Sequence, residues 1–246
     1  MDVAESRDSD TLVVVPTYNE IANLELLVER VREALPYADM LIIDDSSPDG
    51  TGALANRLSE SDHSISVLHR ATKSGLGVAY LAGFSYALAR PYSYVVEIDA
   101  DGSHDPSELP AMLSLARSGA DLVIGSRGIA GGSVRNWPWF RRAISRAGNG
   151  YARFMLRSKI RDLTAGYRVF RADALRALNL TKVSSQGYCF QVELAWRVER
   201  MGMTVVEHPI TFIERERGRS KMHLGIVVEA LLRVTQWGLG FGRPRA

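Results

Sequence analysis

The chain has 246 residues, 46% hydrophobic and 24% charged, a globular composition that excludes a disordered chain, a collagen repeat and a coiled coil. Its one cysteine, Cys189, leaves no intramolecular disulfide framework and points to a reducing compartment. The net charge of +2 is small but unevenly spread: from Asp121 to Asp162 no Asp or Glu intervenes, while Arg127, Arg135, Arg141, Arg142, Arg146, Arg153, Arg157, Lys159 and Arg161 accumulate, and Arg215, Arg217, Arg219 and Lys221 form a second cluster. Such concentration calls for a phosphate-bearing partner or an anionic surface.

Residues 1–10 form an acidic tail without an apolar stretch, so neither a signal peptide nor a transit peptide is expected there. From residue 11, apolar β-branched runs at 11–15, 40–43, 65–68, 94–98 and 121–124 read as strands. Between them, 23–35, 52–58, 78–89 and 107–118 carry helical spacing. Alternation of this kind predicts an α/β domain, a mostly parallel sheet flanked by helices, whose ligands bind at the carboxyl ends of the strands. Near the C-terminus, 224–242 is interrupted by Glu229, Arg233 and Gln236 on one helical face, too polar to span a bilayer. It reads either as an amphipathic helix lying on a membrane surface or as a helix packed on the domain core.

The loops after the predicted strands carry the chemistry. Asp99 and Asp101 stand one residue apart after the fourth run, and Gly102 lets the chain leave the strand so that both can face a ligand. Two carboxylates this close repel unless a cation sits between them, which suits Mg²⁺ or Mn²⁺ bridging to a diphosphate; the alternative is plain turn chemistry. Asp45 follows the second run and suits a ribose or base donor, while Asp49-Gly50-Thr51 suits the start of a helix. Tyr18 offers a stacking face and Glu20 an acceptor or a helix-dipole contact. His104 reads as a helix cap or a general base, Glu193 as a buried carboxylate orienting an arginine, and Tyr188 and Phe190 as core. Arg153, Arg157 and Arg161 recur every four residues and read as a solvated helical face. Pro16 replaces the glycine turn of a dinucleotide fingerprint, no Gly-Lys-Ser/Thr phosphate loop is present, and no zinc spacing exists.

The series VVVPTYNE, IIDDSSPDGT, EIDADGSHDP, GSR, DLTAGYRVFR, SQGYCFQVELAWR and FIERERGRSK, in order from residue 11 to about 223, resembles the polyprenyl-phosphate (dolichol-phosphate) mannose synthases of glycosyltransferase family 2. The resemblance implies a GT-A fold over 11–223, followed by the amphipathic helix and tail at 224–246. It implies inverting transfer of mannose from GDP-mannose to a polyprenyl phosphate. Pro16, Tyr18, Glu20, Asp45 and Ala100 would then hold the nucleotide sugar, and Asp99 and Asp101 the metal. Arg127, Arg215 and Lys221 would meet phosphates, and Arg141 and Ser145 the acceptor phosphate. Ser103 stands where some relatives carry a metal-binding Gln, so the third ligand is Ser103 or water. The acid-free basic segment and the amphipathic C-terminal helix would together attach the chain peripherally to the cytoplasmic face of a membrane, with or without a separate membrane-anchoring protein. Three rivals stand beside that resemblance. One is a lipid-phosphate glucose or related synthase using a UDP-sugar, whose relatives often add spanning helices. Another is a phosphatase using Asp99 as nucleophile, disfavoured because that motif belongs after the first strand. The last is a nucleic-acid-binding module, disfavoured because carboxylates at the strand ends repel a phosphate backbone.

Overall fold

The computed structural model describes residues 9–183, 187–214 and 224–240, with backbone alone for 182, 187, 188 and 224–228. Strands and helices alternate through the first half: β1 (Thr11–Thr17), α1 (Leu24–Ala34), β2 (Asp39–Asp44), α2 (Thr51–Ser61), β3 (Ile65–His69), α3 (Leu76–Leu88), β4 (Tyr94–Glu97), α4 (Leu109–Arg117) and β5 (Leu122–Ser126). The second half adds β6 (Ser133–Arg135), α5 (Trp139–Leu156), β7 (Arg168–Arg171), α6 (Ala172–Ala177), α7 (Gly187–Arg200), β8 (Val205–Pro209), β9 (Thr211–Ile213) and α8 (Leu224–Leu239).

The main sheet runs β3-β2-β1-β4-β7-β5-β8, and β6 pairs with β9 as a separate ribbon. All pairings are parallel except those of β7, which runs against both neighbours, β4 and β5. The carboxyl ends of β1, β2, β4 and β5 therefore lie along one sheet edge, as the α/β reading requires. β1 is longer than the sequence pattern suggests, because its ladder with β2 continues through Pro16↔Ile43 and Thr17↔Asp44. Pro16 is tolerated there: its nitrogen faces the β4 side, where pairing stops at Val14.

Period-two alternation sends Leu12, Val14, Leu41 and Ile43 into one core with Phe84, Leu175, Phe190 and Trp196, and Val13, Val15, Met40 and Ile42 into the other with Leu27, Leu54 and Leu113. Leu24, Leu27, Val28 and Val31 form the buried stripe of α1, each worth about 1.5–3 kcal/mol on leaving water. α3 approaches β1 so closely that a Cβ on Gly83 would lie 2.4 Å from Val14 Cγ1.

Two local expectations change. The arginine spacing does not mark one helix: α5 ends at Leu156, Arg157 adopts left-handed φ at its C-terminus, and Arg161 lies beyond. Asp105, not His104, caps the turn at Pro106–Glu108 by accepting the Ser107 N–H at 3.0 Å. α8 packs on the domain core, the second of the two readings of its segment. Val234 and Trp237 are buried, with Trp237 stacked on Trp196 at 5.6 Å, while Leu231, Leu232 and Leu239 are exposed. Among the described residues no helix is long and apolar enough to cross a membrane.

Candidate active site at the carboxyl edge of the sheet

The loops following β1 and β2 are laced together. The Glu20 N–H donates to Thr51 Oγ1 at 3.0 Å, the Ile21 N–H to Asp49 Oδ2 at 3.2 Å and the Asn19 N–H to Ser47 Oγ at 3.1 Å. Asp49 also accepts the Thr51 N–H at 3.0 Å, which starts α2; burial pushes the Asp49 carboxyl up, but these hydrogen bonds outweigh it and hold it below the usual value. Glu20 is buried and accepts the Asn23 amide at 3.0 Å, close to the first turn of α1. Tyr18 has Lys73 Nζ 4.0 Å above its ring. Asp45 is buried and paired with Arg70 at 2.7 Å. Burial raises its carboxyl above the ordinary range, and Arg70 opposes that rise. The donor expected for Asp45 is thus already supplied by the protein. Arg70 and Lys73 were missed by reading the sequence, although both lie just past the carboxyl end of β3, where an α/β sheet binds ligands.

The paired aspartates follow β4. Gly102 takes φ of +75° to turn the chain, as anticipated. Asp99 Oδ1 accepts the Tyr80 hydroxyl at 3.0 Å, and Asp101 Oδ1 accepts the Ser103 N–H at 3.0 Å. Ala100 between them is buried. Ser103 is also buried, and its Oγ has no hydrogen-bond partner among the described residues. Beneath this turn lies a fully buried polar group: Glu97, with Arg168 Nε 4.0 Å away, and Gln191. Burial pushes Glu97 up to about 8 against the opposing charge of Arg168. Arg168 donates to the carbonyls of Ala165, Gln191 and Leu163 at 2.8–2.9 Å and so fixes the loop entering β7.

His104 joins the acidic and basic halves. It stacks on Tyr167 (4.8 Å) and meets Phe212 edge-on (5.5 Å), and its Nδ1 accepts the Asp99 N–H at 3.4 Å. Burial lowers its pKa to about 4, with Asp101 opposing, so the ring is neutral at pH 7. The guanidinium of Arg127 lies 5.3 Å from the other side of this cluster, over Phe212, and 5.6 Å from Trp137. Arg127 is held by Asp162: its N–H, Nε and Nη2 all donate to that carboxylate at 2.7–3.0 Å, and Nη2 also reaches Thr164 Oγ1. Asn149, on α5, donates to Asp162, Thr164 and the Ser145 carbonyl. Burial pushes Asp162 up, but the Arg127 charge and these donors outweigh it and keep the carboxyl ionised.

Arg141, one turn before Ser145 on the same helix, lies 4.4 Å over Trp137 and pairs with Glu214. Contacts through His104, Phe212 and Trp137 thus link the Asp99–Ser103 turn to Arg127 and Arg141. Ser145 lies one turn along α5 with its carbonyl accepting from Asn149, and Pro16, Tyr18, Glu20 and Asp45 stand at and just past the carboxyl ends of β1 and β2. Arg215 and Lys221 lie outside the described residues, as does the Tyr188 side chain. Phe190 is core, and Glu193 pairs with Arg197 one turn along α7, as its buried position suggested. Asp162, Asn149, Trp137 and Glu214 are residues of this region to which the sequence reading gave no role, although Asp162 opens the DLTAGYRVFR segment and Glu214 lies within FIERERGRSK.

The arrangement sets hard oxygen donors beside a guanidinium cluster, a division suited to two anions and a cation. The chain is 53% identical over 230 residues to polyprenol monophosphomannose synthase of Mycolicibacterium smegmatis, covering 93% of this chain and 87% of that protein. It is 54% identical over 228 residues to undecaprenyl-phosphate mannosyltransferase of Micrococcus luteus, covering 93% of each. Among solved structures, glucosyl-3-phosphoglycerate synthase of Mycobacterium tuberculosis, crystallised with Mn²⁺, UDP and its product, superposes with a TM-score of 0.66 at 18% identity, over 96% of this chain and 81% of that one. The family model described as glycosyl transferase family 2 matches residues 12–178, and with the mostly parallel sheet and its loaded carboxyl edge this shows that the chain belongs to glycosyl transferase family 2.

Proposed function

We propose that this protein transfers mannose from GDP-mannose to a polyprenyl phosphate, with inversion at the anomeric carbon, giving polyprenyl-phosphate mannose. The observation that carries the reading is the bridge through His104 and Phe212, which sets Asp99 and Asp101 against the Arg127–Arg141 cluster in a chain 53–54% identical to two lipid-phosphate mannosyltransferases. A phosphate monoester is already largely dianionic at pH 7, its second pKa being about 6, so attack on the sugar carbon needs no strong base. A neutral, buried His104 fits that requirement. What the reaction needs is alignment and cancellation of charge, which the arginines supply.

Asp99 and Asp101 offer the oxygen donors that Mg²⁺ or Mn²⁺ prefers, and no third His, Cys, Asp or Glu converges on them among the described residues. That donor set suits a cation completing its shell with diphosphate oxygens and water, Ser103 being the one further side chain in the turn. A divalent cation, when bound, neutralises the departing diphosphate. Tyr18, Glu20 and Asp45, with Pro16 and Ala100 behind them, line the nucleoside side. Arg215 and Lys221 belong to the same phosphate-binding set.

The lipid end of the acceptor is served by α5. Its outer surface exposes Trp139 (80%), Phe140 (52%), Ile144 (58%) and Phe154 (80%), with Arg142 and Arg146 exposed alongside. Aromatic and basic side chains on one helix suit the interface of an anionic leaflet, and we assign peripheral attachment on the cytoplasmic face, with or without an anchoring protein.

Incubation of the purified chain with GDP-mannose, polyprenyl phosphate and Mn²⁺ should yield the mannosyl lipid by mass spectrometry. Preference for UDP-glucose, undiminished turnover in excess chelator, or salt-sensitive nucleic-acid binding without turnover would each overturn the reading.

A further inference from the structure

The two arginines that face the acceptor side are both occupied by carboxylates of this chain, but in different ways. Asp162 accepts three bonds from Arg127, with Asn149 and Thr164 adding two more, and is almost wholly buried. That pair is part of the frame. Glu214 is the opposite case: its described side-chain contact is Arg141, and both partners of the pair keep about a fifth to a quarter of their side chains exposed, 20% and 24%. Arg141 does not depend on Glu214 for its orientation, because its guanidinium lies 4.4 Å over the Trp137 ring. Glu214 itself is anchored by its backbone, whose N–H donates to the Arg135 carbonyl at 3.2 Å at the end of the β6–β9 ribbon.

We propose that Glu214 is a built-in competitor for the acceptor phosphate: its carboxylate occupies Arg141 until a phosphate monoester takes its place, so that it sets acceptor affinity rather than holding the fold. The proposal rests on the reading of Arg141 as an acceptor-phosphate ligand and adds the residue that tunes it. A dianionic phosphate outcompetes a monoanionic carboxylate for a guanidinium, while weaker anions leave Glu214 in place. The chain thereby keeps a charged site neutral in the absence of lipid and discriminates against singly charged anions.

The test is a kinetic cycle on the full chain with GDP-mannose and a short-chain polyprenyl phosphate. Glu214→Gln keeps the shape and removes the charge, and should lower the apparent KM for the lipid phosphate about fivefold, the order expected for losing a partly exposed ion pair. The KM for GDP-mannose should not move. In an Arg141→Ala background the same substitution should change nothing. Glu214→Ala should act in the same direction as Glu214→Gln. An unchanged or raised lipid KM in Glu214→Gln, a gain that survives loss of Arg141, or a substantial drop in melting temperature in either Glu214 variant overturns the proposal while leaving the mannosyltransfer reading intact. Absence of any lipid-phosphate turnover by the wild-type chain removes that reading, and the proposal with it.

Discussion

Replacing Asp162 by Asn tests whether the Arg127 pair is structural. Asp162 is 2% exposed and Arg127 keeps only 11% of its side-chain surface, so the substitution leaves a guanidinium in a desolvated site with no counter-charge. Breaking such a pair from one side costs about 3–5 kcal/mol, against 0–1 kcal/mol for a surface pair. For a chain of this size each kcal/mol moves the melting midpoint by roughly 2–4 °C, so a fall of about 10 °C is expected. The pH dependence carries a second signature. Burial raises the Asp162 carboxyl, but Arg127 and the hydrogen bonds outweigh it, so the folded pKa lies below the unfolded value near 3.8. The stabilisation is thus fully present above that value and is lost as pH falls through the folded pKa; in Asp162→Asn this acid-side decline should be missing. Urea unfolding at pH 7 and at pH 4 to 2.5 measures both. A loss under about 1 kcal/mol with an unaltered acid limb would refute the claim that this pair is buried and held.

Asp101→Ala should cut mannosyl transfer at least 100-fold, by the order associated with removing one electrostatic stabiliser, and abolish dependence on added Mn²⁺. Its melting point should fall by only about 2–4 °C for the lost Ser103 N–H contact, and turnover that still responds to Mn²⁺ contradicts the assignment. His104→Phe keeps the stacking on Tyr167 but removes a ring whose folded pKa is depressed to about 4. A lowered folded pKa means stability is present above about 6.5 and declines toward 4, so thermal melts of the variant should lose roughly 1–3 kcal/mol of that decline; identical pH profiles would argue against a buried neutral ring. Phe140→Glu with Phe154→Glu should abolish sedimentation with phosphatidylserine vesicles without changing the melting point, since both rings face solvent. Retained vesicle binding would shift attachment elsewhere.

What could be read from the sequence followed local patterning. The β-branched runs of β1, β2 and β4 are buried on both faces, which writes them as continuous apolar stretches, and the Asp-Ala-Asp-Gly turn marks its own geometry. β7 escaped because four residues with arginine at each end, Arg168–Arg171, carry no strand signal outside the sheet. α5 escaped because Asn149, Ala152 and Leu156 point inward while Phe140, Ile144 and Phe154 point outward, so its apolar residues occupy two faces and blur the helical period. The carboxylates paired with the arginines lie 35 residues away for Asp162 and 73 for Glu214, and pairs at that separation leave no local pattern to read. Arg70 and Lys73 were legible in principle, since they follow a strand, but a basic loop resembles any solvated turn.

The helix α5 has two unlike sides, one carrying Arg141 and Ser145 and the other exposing the rings of Trp139, Phe140 and Phe154. An α-helix with its side chains is only about 10–12 Å across. On the mannosyltransfer reading, that thickness is the whole distance between bilayer surface and reacting phosphate, so the isoprenoid can stay dissolved among its neighbours while its headgroup alone is lifted. Selection then operates on the anion, and tails of different length or saturation should be used at similar rates.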